Sequence, residues 1–411
     1  MKAGCIKICN LLAVTAGDNV VIITDTKVDP SIAEMLYAVV QERGAVPIKI
    51  VFPPMQVHGQ EPPDSVVAAM QACDTAIIVT SKSATHCLGT QKAAQKGVRV
   101  ASLPEMVPDM LRRGALTADY EKVSAFTWRL CELLAGAKTC TVVTKQGTDI
   151  TLDLGGWKVL PHADTGYIQK GSIGNLPAGE ALIVPVPGSA NGRVVVDITL
   201  SCATPGTLEE PVTLMVKDGI VTDVQGGEPA KGLLALFDRY GYNARNLAEL
   251  ALGTNDRARV IGNVLEDEKV LGTAHFGIGN STSIGGNVYS EIHIDAIFGN
   301  PTIYLDGRLL MSDGTYNPEV IEKEDESRIG PVGEEKAPTK WAERVADHFQ
   351  VREGKLVRLW RDSRGIPVVS QVGNDATARR AAEVYEKREI TDLRKVSSAL
   401  RFIMGLYGAL E

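Results

Sequence analysis

The sequence lacks the signals of several well-marked protein classes. Its 411 residues contain 7 cysteines, an odd number with no Cys-x-x-Cys pair, which argues against a disulfide framework or a zinc–thiolate site. No apolar run is long enough to span a membrane, and residues 1–20 lack a signal-peptide core. A net charge of −7 without a dense Lys/Arg stripe argues against a nucleic-acid partner. We therefore expect a cytoplasmic protein with reduced thiols and neither membrane nor nucleic-acid contacts.

The first third of the chain alternates strand and helix patterns. Strands are predicted at residues 19–24, 46–52, 75–80 and 98–103, and helices at residues 29–43, 65–73, 86–96 and 119–134. This alternation predicts βαβ units and a parallel sheet, and thus an α/β domain over residues 1–135. No Gly-x-Gly-x-x-Gly follows the first strand, so the pattern does not favour dinucleotide binding.

Short strands separated by turns replace this alternation beyond residue 136. They are predicted at residues 140–144, 149–154, 181–185, 192–200, 212–217 and 219–224, with helices at residues 232–240 and 246–252. We expect an α+β domain over residues 136–318. Residues 319–411 begin with a charged, proline-containing stretch and are predicted to be a linker and a carboxyl-terminal extension. Strands at residues 355–361 and 366–370 and helices at residues 376–387 and 391–406 are expected there.

The most informative segment is residues 272–295, which carries His275, His293 and Asp295. If the surrounding IHIDAIF is a strand, His293 and Asp295 share a face, about 6.5 Å apart at Cα. Imidazole and carboxylate ligands suit zinc, manganese or iron. The alternative is a half-buried strand that happens to carry two polar residues.

Glu180 and Glu249 also stand out, because each is surrounded by apolar residues. A glutamate in a core is costly unless it is paired or binds a metal ion. The alternative for each is a glutamate on a helix face with its carboxylate in water. Glu266 and Glu268 precede the histidine segment in a run of charged residues, and we expect both to be solvated.

Five separated segments of this region are similar to the aminopeptidase T family of metallopeptidases, which includes leucyl and thermophilic aminopeptidases. They are NLPAGE, AELALGTN, EDEKVLGTAHFGIGN, SEIHIDAIF and TIYLDG. The resemblance implies that two divalent cations (zinc, cobalt or manganese) are held by Glu180, Glu249, His275, His293 and Asp295. It implies a homodimeric metallo-aminopeptidase whose metal-activated water removes amino-terminal residues from peptides or cleaves small amides.

The same resemblance assigns catalytic roles. Glu180 or Glu249 would carry the proton to the leaving amine. Family members have a tyrosine where this chain has Thr282, and Tyr289 or Tyr304 would have to replace it; Tyr289 is the candidate kept here.

A second enzyme class is similar around the same segment: mononuclear iron(II) dioxygenases of the 2,5-dihydroxypyridine type, which cleave a ring. They bind one iron through two histidines and one carboxylate, with a histidine near the Glu249 position. The acid-rich set of this chain favours the hydrolase. An amide hydrolase with a non-peptide substrate and a protein that has lost its catalytic activity are further alternatives. We interpret Asp164, in an Asp-Thr-Gly triplet, as a chance match, and His58 and His162 as surface residues, although His162 could touch substrate.

Overall fold

The computed structural model describes residues 1–85, 87–155, 159–201, 206–321, 349–352, 355–361 and 367–371. Its α-helices are α1 (Lys2–Leu11), α2 (Pro30–Glu42), α3 (Asp64–Met70), α4 (Leu88–Gln95), α5 (Tyr120–Gly136), α6 (Glu228–Tyr240), α7 (Val264–Asp267) and α8 (Pro318–Ile321). Short 3₁₀ helices cover Gly114–Thr117, Tyr242–Arg245 and Thr282–Ile284.

The strands fall into four sheets. They are β1 (Asn19–Asp25), β2 (Val46–Phe52), β3 (Thr75–Val79), β4 (Arg99–Ser102), β5 (Thr139–Val143), β6 (Asp149–Asp153), β7 (His162–Asp164), β8 (Ile173–Asn175), β9 (Glu180–Ile183), β10 (Asn191–Val196), β11 (Thr199–Leu200), β12 (Val212–Lys217), β13 (Ile220–Gln225), β14 (Leu247–Gly253), β15 (Ala274–Gly279), β16 (His293–Phe298), β17 (Thr302–Leu305), β18 (Arg308–Ser312), β19 (Thr315–Tyr316), β20 (Phe349–Arg352), β21 (Lys355–Arg361) and β22 (Pro367–Gln371).

The amino-terminal region forms a parallel sheet with strand order β2-β1-β3-β4-β8, as the alternating pattern predicts. Helix α2 begins after Asp29, whose side chain accepts the Ser31 N–H and caps the helix. Apolar clusters cover the sheet on both faces. The order turns back between β1 and β3, and such a point at the carboxyl ends of the strands is where open α/β sheets bind ligands. The fifth strand, β8, comes from beyond residue 135, so the sheet reaches past the predicted domain boundary.

Two antiparallel sheets follow. One has the order β13-β12-β10-β6-β5-β17-β18-β19, and the other has the order β11-β16-β15-β14-β9-β7. A shared core joins them with α5 and α6, and the stacked rings of Phe276 and Phe298, 5.6 Å apart, lie within it. The fold class is therefore mixed α/β, with one parallel sheet and additional antiparallel sheets. The division into residues 1–135, 136–318 and 319–411 stays a prediction.

One predicted element is wrong, and it carries a candidate ligand. Residues 246–252 were expected to be helical because alanine, leucine and glutamate all favour helices. The structure has strand β14 instead, buried along its whole length between β9 and β15. The central position in the sheet overrides the local propensity of a run this short.

The carboxyl-terminal region is described only in part. Strands β20, β21 and β22 form a three-stranded antiparallel sheet, of which the sequence predicted the last two. The predicted helices at residues 376–387 and 391–406 and most of the predicted linker lie outside the described residues. Within the described residues, no helix has the length and apolarity to cross a membrane.

Candidate metal centre

One face of the six-stranded sheet is charged, and the other lies in the core. Side chains alternate between faces along a strand, and paired residues of neighbouring strands share a face. The register pairs Asp164 with Glu180, Glu180 with Gly253, Ala251 with His275, Gly277 with both Glu249 and Asp295, and Gly279 with His293. The charged face therefore carries all five predicted ligands together with two residues of β7: His162, Asp164, Glu180, Glu249, His275, His293 and Asp295.

Gly277 makes room for the side chains on this face. A Cβ atom there would lie 2.7 Å from Cε1 of His293 and 2.8 Å from Cβ of Glu249. Real Cβ atoms do not approach other atoms this closely, so the imidazole of His293 lies directly over the Gly277 backbone. A side chain at this position would displace the ring.

Three of the ligands form what we call the open triad: Glu249, His293 and Asp295. One potential ligand atom from each lies within 4.8 Å of the others. His293 Nε2 is 3.2 Å from Glu249 Oε2 and 3.1 Å from Asp295 Oδ1. The other ring nitrogen, Nδ1, lies 2.7 Å from the carbonyl oxygen of Asn280, which sets the tautomer and leaves Nε2 free for a metal ion. The side chains of His293 and Asp295 are 19% and 18% exposed, so solvent reaches the triad.

His275 links the open triad to a second group of acids. Its Nε2 lies 3.5 Å from Glu249 Oε1 and 3.6 Å from Glu180 Oε2. Burial lowers the pKa of His275, but the hydrogen bond to Glu249 and the charge of Glu180 outweigh it and raise the pKa to about 9. Burial likewise raises the pKa of Glu249, yet His275 and His293 together hold it well below its usual range.

The second group, which we call the lysine cluster, consists of Asp164, Glu180, Glu268 and Lys269. The Lys269 ammonium lies 2.5 Å from Glu180 Oε1, 2.7 Å from Glu268 Oε1 and 3.2 Å from Asp164 Oδ2, and its side chain is 1% exposed. Burial lowers the pKa of Lys269, but the three carboxylates outweigh burial and hold it above its usual range. Glu180 and Glu268, with His275, again place potential ligand atoms within 4.8 Å of one another.

The sequence interpretation missed three members of this cluster: Asp164, Glu268 and Lys269. Glu268 and the nearby Glu266 are buried, so the prediction that both are solvated is wrong. Glu266 accepts hydrogen bonds from Arg259 and is separate from the metal ligands. Asp164, interpreted as a chance triplet, contacts Lys269. The charged run at residues 266–269 gave no signal of burial, because the segments that bury it are distant in the sequence.

A polar edge lies at the carboxyl ends of three strands of the parallel sheet. His58, Lys82 and Glu105 follow strands β2, β3 and β4, and His58 Nε2 lies 3.2 Å from Lys82 Nζ and 3.8 Å from Glu105 Oε1. Burial lowers the pKa of His58, the Lys82 ammonium lowers it further, and the Asp295 carboxylate opposes both. The side chain of His58 is 47% exposed, which confirms its interpretation as a surface residue, and it is close enough to Asp295 for that carboxylate to affect its pKa.

A cavity of about 460 Å³ adjoins the other end of the charged face. Its walls include Trp128, His162, Asp164 and Tyr167. Asp164 belongs both to the wall of this cavity and to the lysine cluster, whereas no residue of the open triad lines the cavity. His162, which the sequence analysis considered a possible substrate contact, lies both on the charged face and on the wall of this cavity.

The donor set of the open triad fits one transition-metal ion. Two ligand atoms at about 2.1 Å from an ion and at right angles are about 3.0 Å apart, close to the 3.1 and 3.2 Å separations around His293 Nε2. One imidazole and two carboxylates are hard, N/O-type ligands of the kind that iron(II) and manganese(II) accept. The fold and this site define a mixed α/β protein with a candidate metal centre.

Comparison with known proteins gives the family. Residues 2–318 match the model of the NicX family, described as 2,5-dihydroxypyridine 5,6-dioxygenase, and the chain belongs to this family. The structure of 2,5-dihydroxypyridine dioxygenase from Pseudomonas putida KT2440 is similar, with a TM-score of 0.66 and 19% identity over 78% of this chain and 98% of that one. AmpT from Thermus thermophilus is also similar, with a TM-score of 0.57 and 15% identity over 77% and 98% of the two chains. No curated protein matches the sequence.

These findings correct the functional prediction. The interpretation as a metallo-aminopeptidase of the aminopeptidase T family is wrong, because the family model assigns the chain to ring-cleaving dioxygenases and not to hydrolases of peptide bonds. The likeness to AmpT shows a shared fold alone. Two ions of zinc, cobalt or manganese are likewise unsupported, whereas the family and the ligand groups both support a bound metal.

Because the hydrolysis of peptides is no longer the expected reaction, the role predicted for Tyr289 or Tyr304 in it no longer applies. Tyr289 is 63% exposed, and its backbone carbonyl accepts a hydrogen bond from the Asn243 side chain. Tyr304 lies on β17, in the eight-stranded sheet and away from the charged face. Thr282 hydrogen-bonds to the Asn280 side chain through both its hydroxyl and its N–H.

Proposed function

We propose that this protein is an iron(II)-dependent dioxygenase that opens the ring of a hydroxylated pyridine. The observation that carries the proposal is the family match across residues 2–318, which contains the whole open triad. The solvent-accessible triad on a rigid sheet supports it, because a ring-cleaving site needs a fixed metal with free positions for substrate.

Glu249, His293 and Asp295 would hold the ion. This set departs from the two-histidine, one-carboxylate arrangement common in iron(II) oxygenases, because Glu249 stands in place of a second imidazole. His275 lies behind Glu249 and orients its carboxylate through the 3.5 Å contact. The additional carboxylate makes manganese(II) the natural competitor of iron(II), so both metals belong in the test.

Iron(II), when bound, supplies the one-electron chemistry that allows dioxygen to react with a closed-shell ring. In a 5,6-dioxygenase reaction the bond between ring carbons 5 and 6 breaks, and both atoms of dioxygen enter the product. We assign contact with the ring hydroxyls to the polar edge formed by His58, Lys82 and Glu105, because His58 is close enough to the triad for Asp295 to affect its pKa. The Asn280 carbonyl holds the His293 ring in the required tautomer throughout.

The test is dioxygen uptake by protein loaded without oxygen with iron(II) or manganese(II), then mixed with 2,5-dihydroxypyridine and dioxygen. We expect one dioxygen consumed per ring, loss of the ring absorbance and two labelled oxygen atoms in the product from ¹⁸O₂. The His293→Ala variant should do none of this. Hydroquinone, which lacks the ring nitrogen, measures whether the nitrogen is required.

Iron-loaded protein that consumes no dioxygen with any hydroxylated pyridine would contradict the proposal. Activity with manganese(II) alone would keep ring cleavage and overturn the choice of metal. The homodimer inferred from sequence stays a prediction, and sedimentation of the full chain measures it.

A further inference from the structure

Two sets of potential metal ligands lie at the charged sheet face, and a lysine ammonium contacts only the second set. The open triad makes ion pairs, among the described residues, only with histidines. The Lys269 ammonium instead sits among the three carboxylates of the lysine cluster and makes contacts of 2.5 to 3.2 Å. An ammonium has three N–H donors, so the three acids match its full capacity.

We propose that the Lys269 ammonium takes the place of a second metal ion and limits the site to one ion per chain. An ion bound by Glu180, Glu268 and His275 would need the carboxylates that Lys269 now contacts. Metal–oxygen bonds of about 2.0–2.2 Å would bring a divalent cation close to the ammonium in a poorly screened interior. Repulsion between the two cations makes their simultaneous binding unfavourable.

The setting of Lys269 prevents the side chain from moving aside. Lys269 lies two residues after the end of α7 and is fully buried. Its backbone N–H donates to the Glu266 carbonyl, and its carbonyl accepts from the backbone N–H of Asn255. Asp164, from the edge strand β7, closes the third side. Removal of the ammonium would leave Glu180, Glu268 and His275 with their ligand atoms already gathered, and Glu180 Oε2 has no hydrogen-bond donor among the described residues.

The experiment measures metal stoichiometry in full-length protein loaded with manganese(II) or iron(II) and freed of excess ion. Elemental analysis should give about one ion per chain in the wild type and up to about two in Lys269→Ala. Electron paramagnetic resonance of the manganese form should change from an isolated-ion spectrum to that of a spin-coupled pair. Lys122→Ala removes an exposed lysine of the same charge and should stay at one ion.

A second variant covers the case in which Lys269→Ala does not fold. Glu268→Gln should keep one ion per chain with unchanged affinity, because Glu268 binds Lys269 and not the metal ion. Two ions in the wild type, one ion in folded Lys269→Ala, or loss of the ion from Glu268→Gln would each overturn the proposal. The inference rests on a metal at the open triad but not on the reaction, so one bound ion without ring cleavage would contradict the proposed function alone.

Discussion

The open triad and the lysine cluster both gather carboxylates at the charged face of the six-stranded sheet, yet they differ in burial and in the cation they contact. The ligand atoms of the triad lie within 4.8 Å of one another, and so do those of Glu180 and Glu268 of the cluster together with His275. The triad is partly exposed and has its histidine oriented by a backbone carbonyl. The cluster is closed and neutralised in part by a lysine. Burial and an internal cation, more than ligand identity, thus distinguish the lysine cluster from the proposed metal site.

This comparison also explains why a sequence pattern supports two enzyme families. Motifs record which ligands are present, and all five predicted ligands do lie together on the sheet face. Motifs do not record whether a neighbouring side chain already supplies the positive charge that a metal ion would bring. A count of candidate ligands therefore overestimates the number of ions that a site holds.

The largest expected effect comes from breaking the open triad. Loss of the partners that orient metal ligands costs about 10- to 100-fold in affinity, and loss of a ligand itself should cost more than about 100-fold. We therefore expect His293→Ala to lose its metal on dialysis. His162→Ala removes a histidine from the same face of the same sheet and should retain it. Equal metal content in the two variants, measured by elemental analysis, would contradict the assignment of the triad.

The second largest expected effect is on stability, and it tests whether Lys269 is paired with the buried carboxylates of the lysine cluster. Replacing Lys269 by methionine leaves three carboxylates without their cation, and breaking a buried charge pair costs about 3–5 kcal/mol. We expect that loss in the free energy of unfolding of metal-free protein, measured by urea denaturation in chelator. Lys122→Met, at an exposed lysine, should change it by about 0.5 kcal/mol or less. A loss below about 1 kcal/mol for Lys269→Met would mean that the cluster is solvated.

The sequence predicted the parallel sheet because its strand and helix patterns alternate clearly, and the strand that it considered at IHIDAIF is present as β16. It failed at β14, where seven buried residues contain good helix formers and only the neighbouring strands decide the conformation. It failed again at Glu268 and Lys269, whose charged run is typical of a surface. Their burial depends on β7 and β9, which lie more than 80 residues earlier in the chain. Long-range packing of this kind leaves no local signal.

The smallest effect tests how closely the open triad is positioned. In Gly277→Ala the new methyl group would meet the His293 ring at 2.7 Å, so the ring must shift while the rest of the sheet stays. We expect about a 10- to 100-fold loss of metal affinity, as for other disturbances of ligand orientation. Overpacking of this size should also cost about 1–3 kcal/mol of stability.

Gly136→Ala is the matched control, because a Cβ at this position of α5 meets nothing within 4 Å. It should leave metal affinity unchanged and stability equal or slightly higher, since alanine favours a helix more than glycine does. Titration of both variants with iron(II) under anaerobic conditions measures the difference. Because the lysine cluster does not touch Gly277, its contribution to stability should persist in Gly277→Ala, and Lys269→Met should destabilise that variant as much as it does the wild type. If the two substitutions are instead strongly non-additive, the open triad and the lysine cluster form one site and not two.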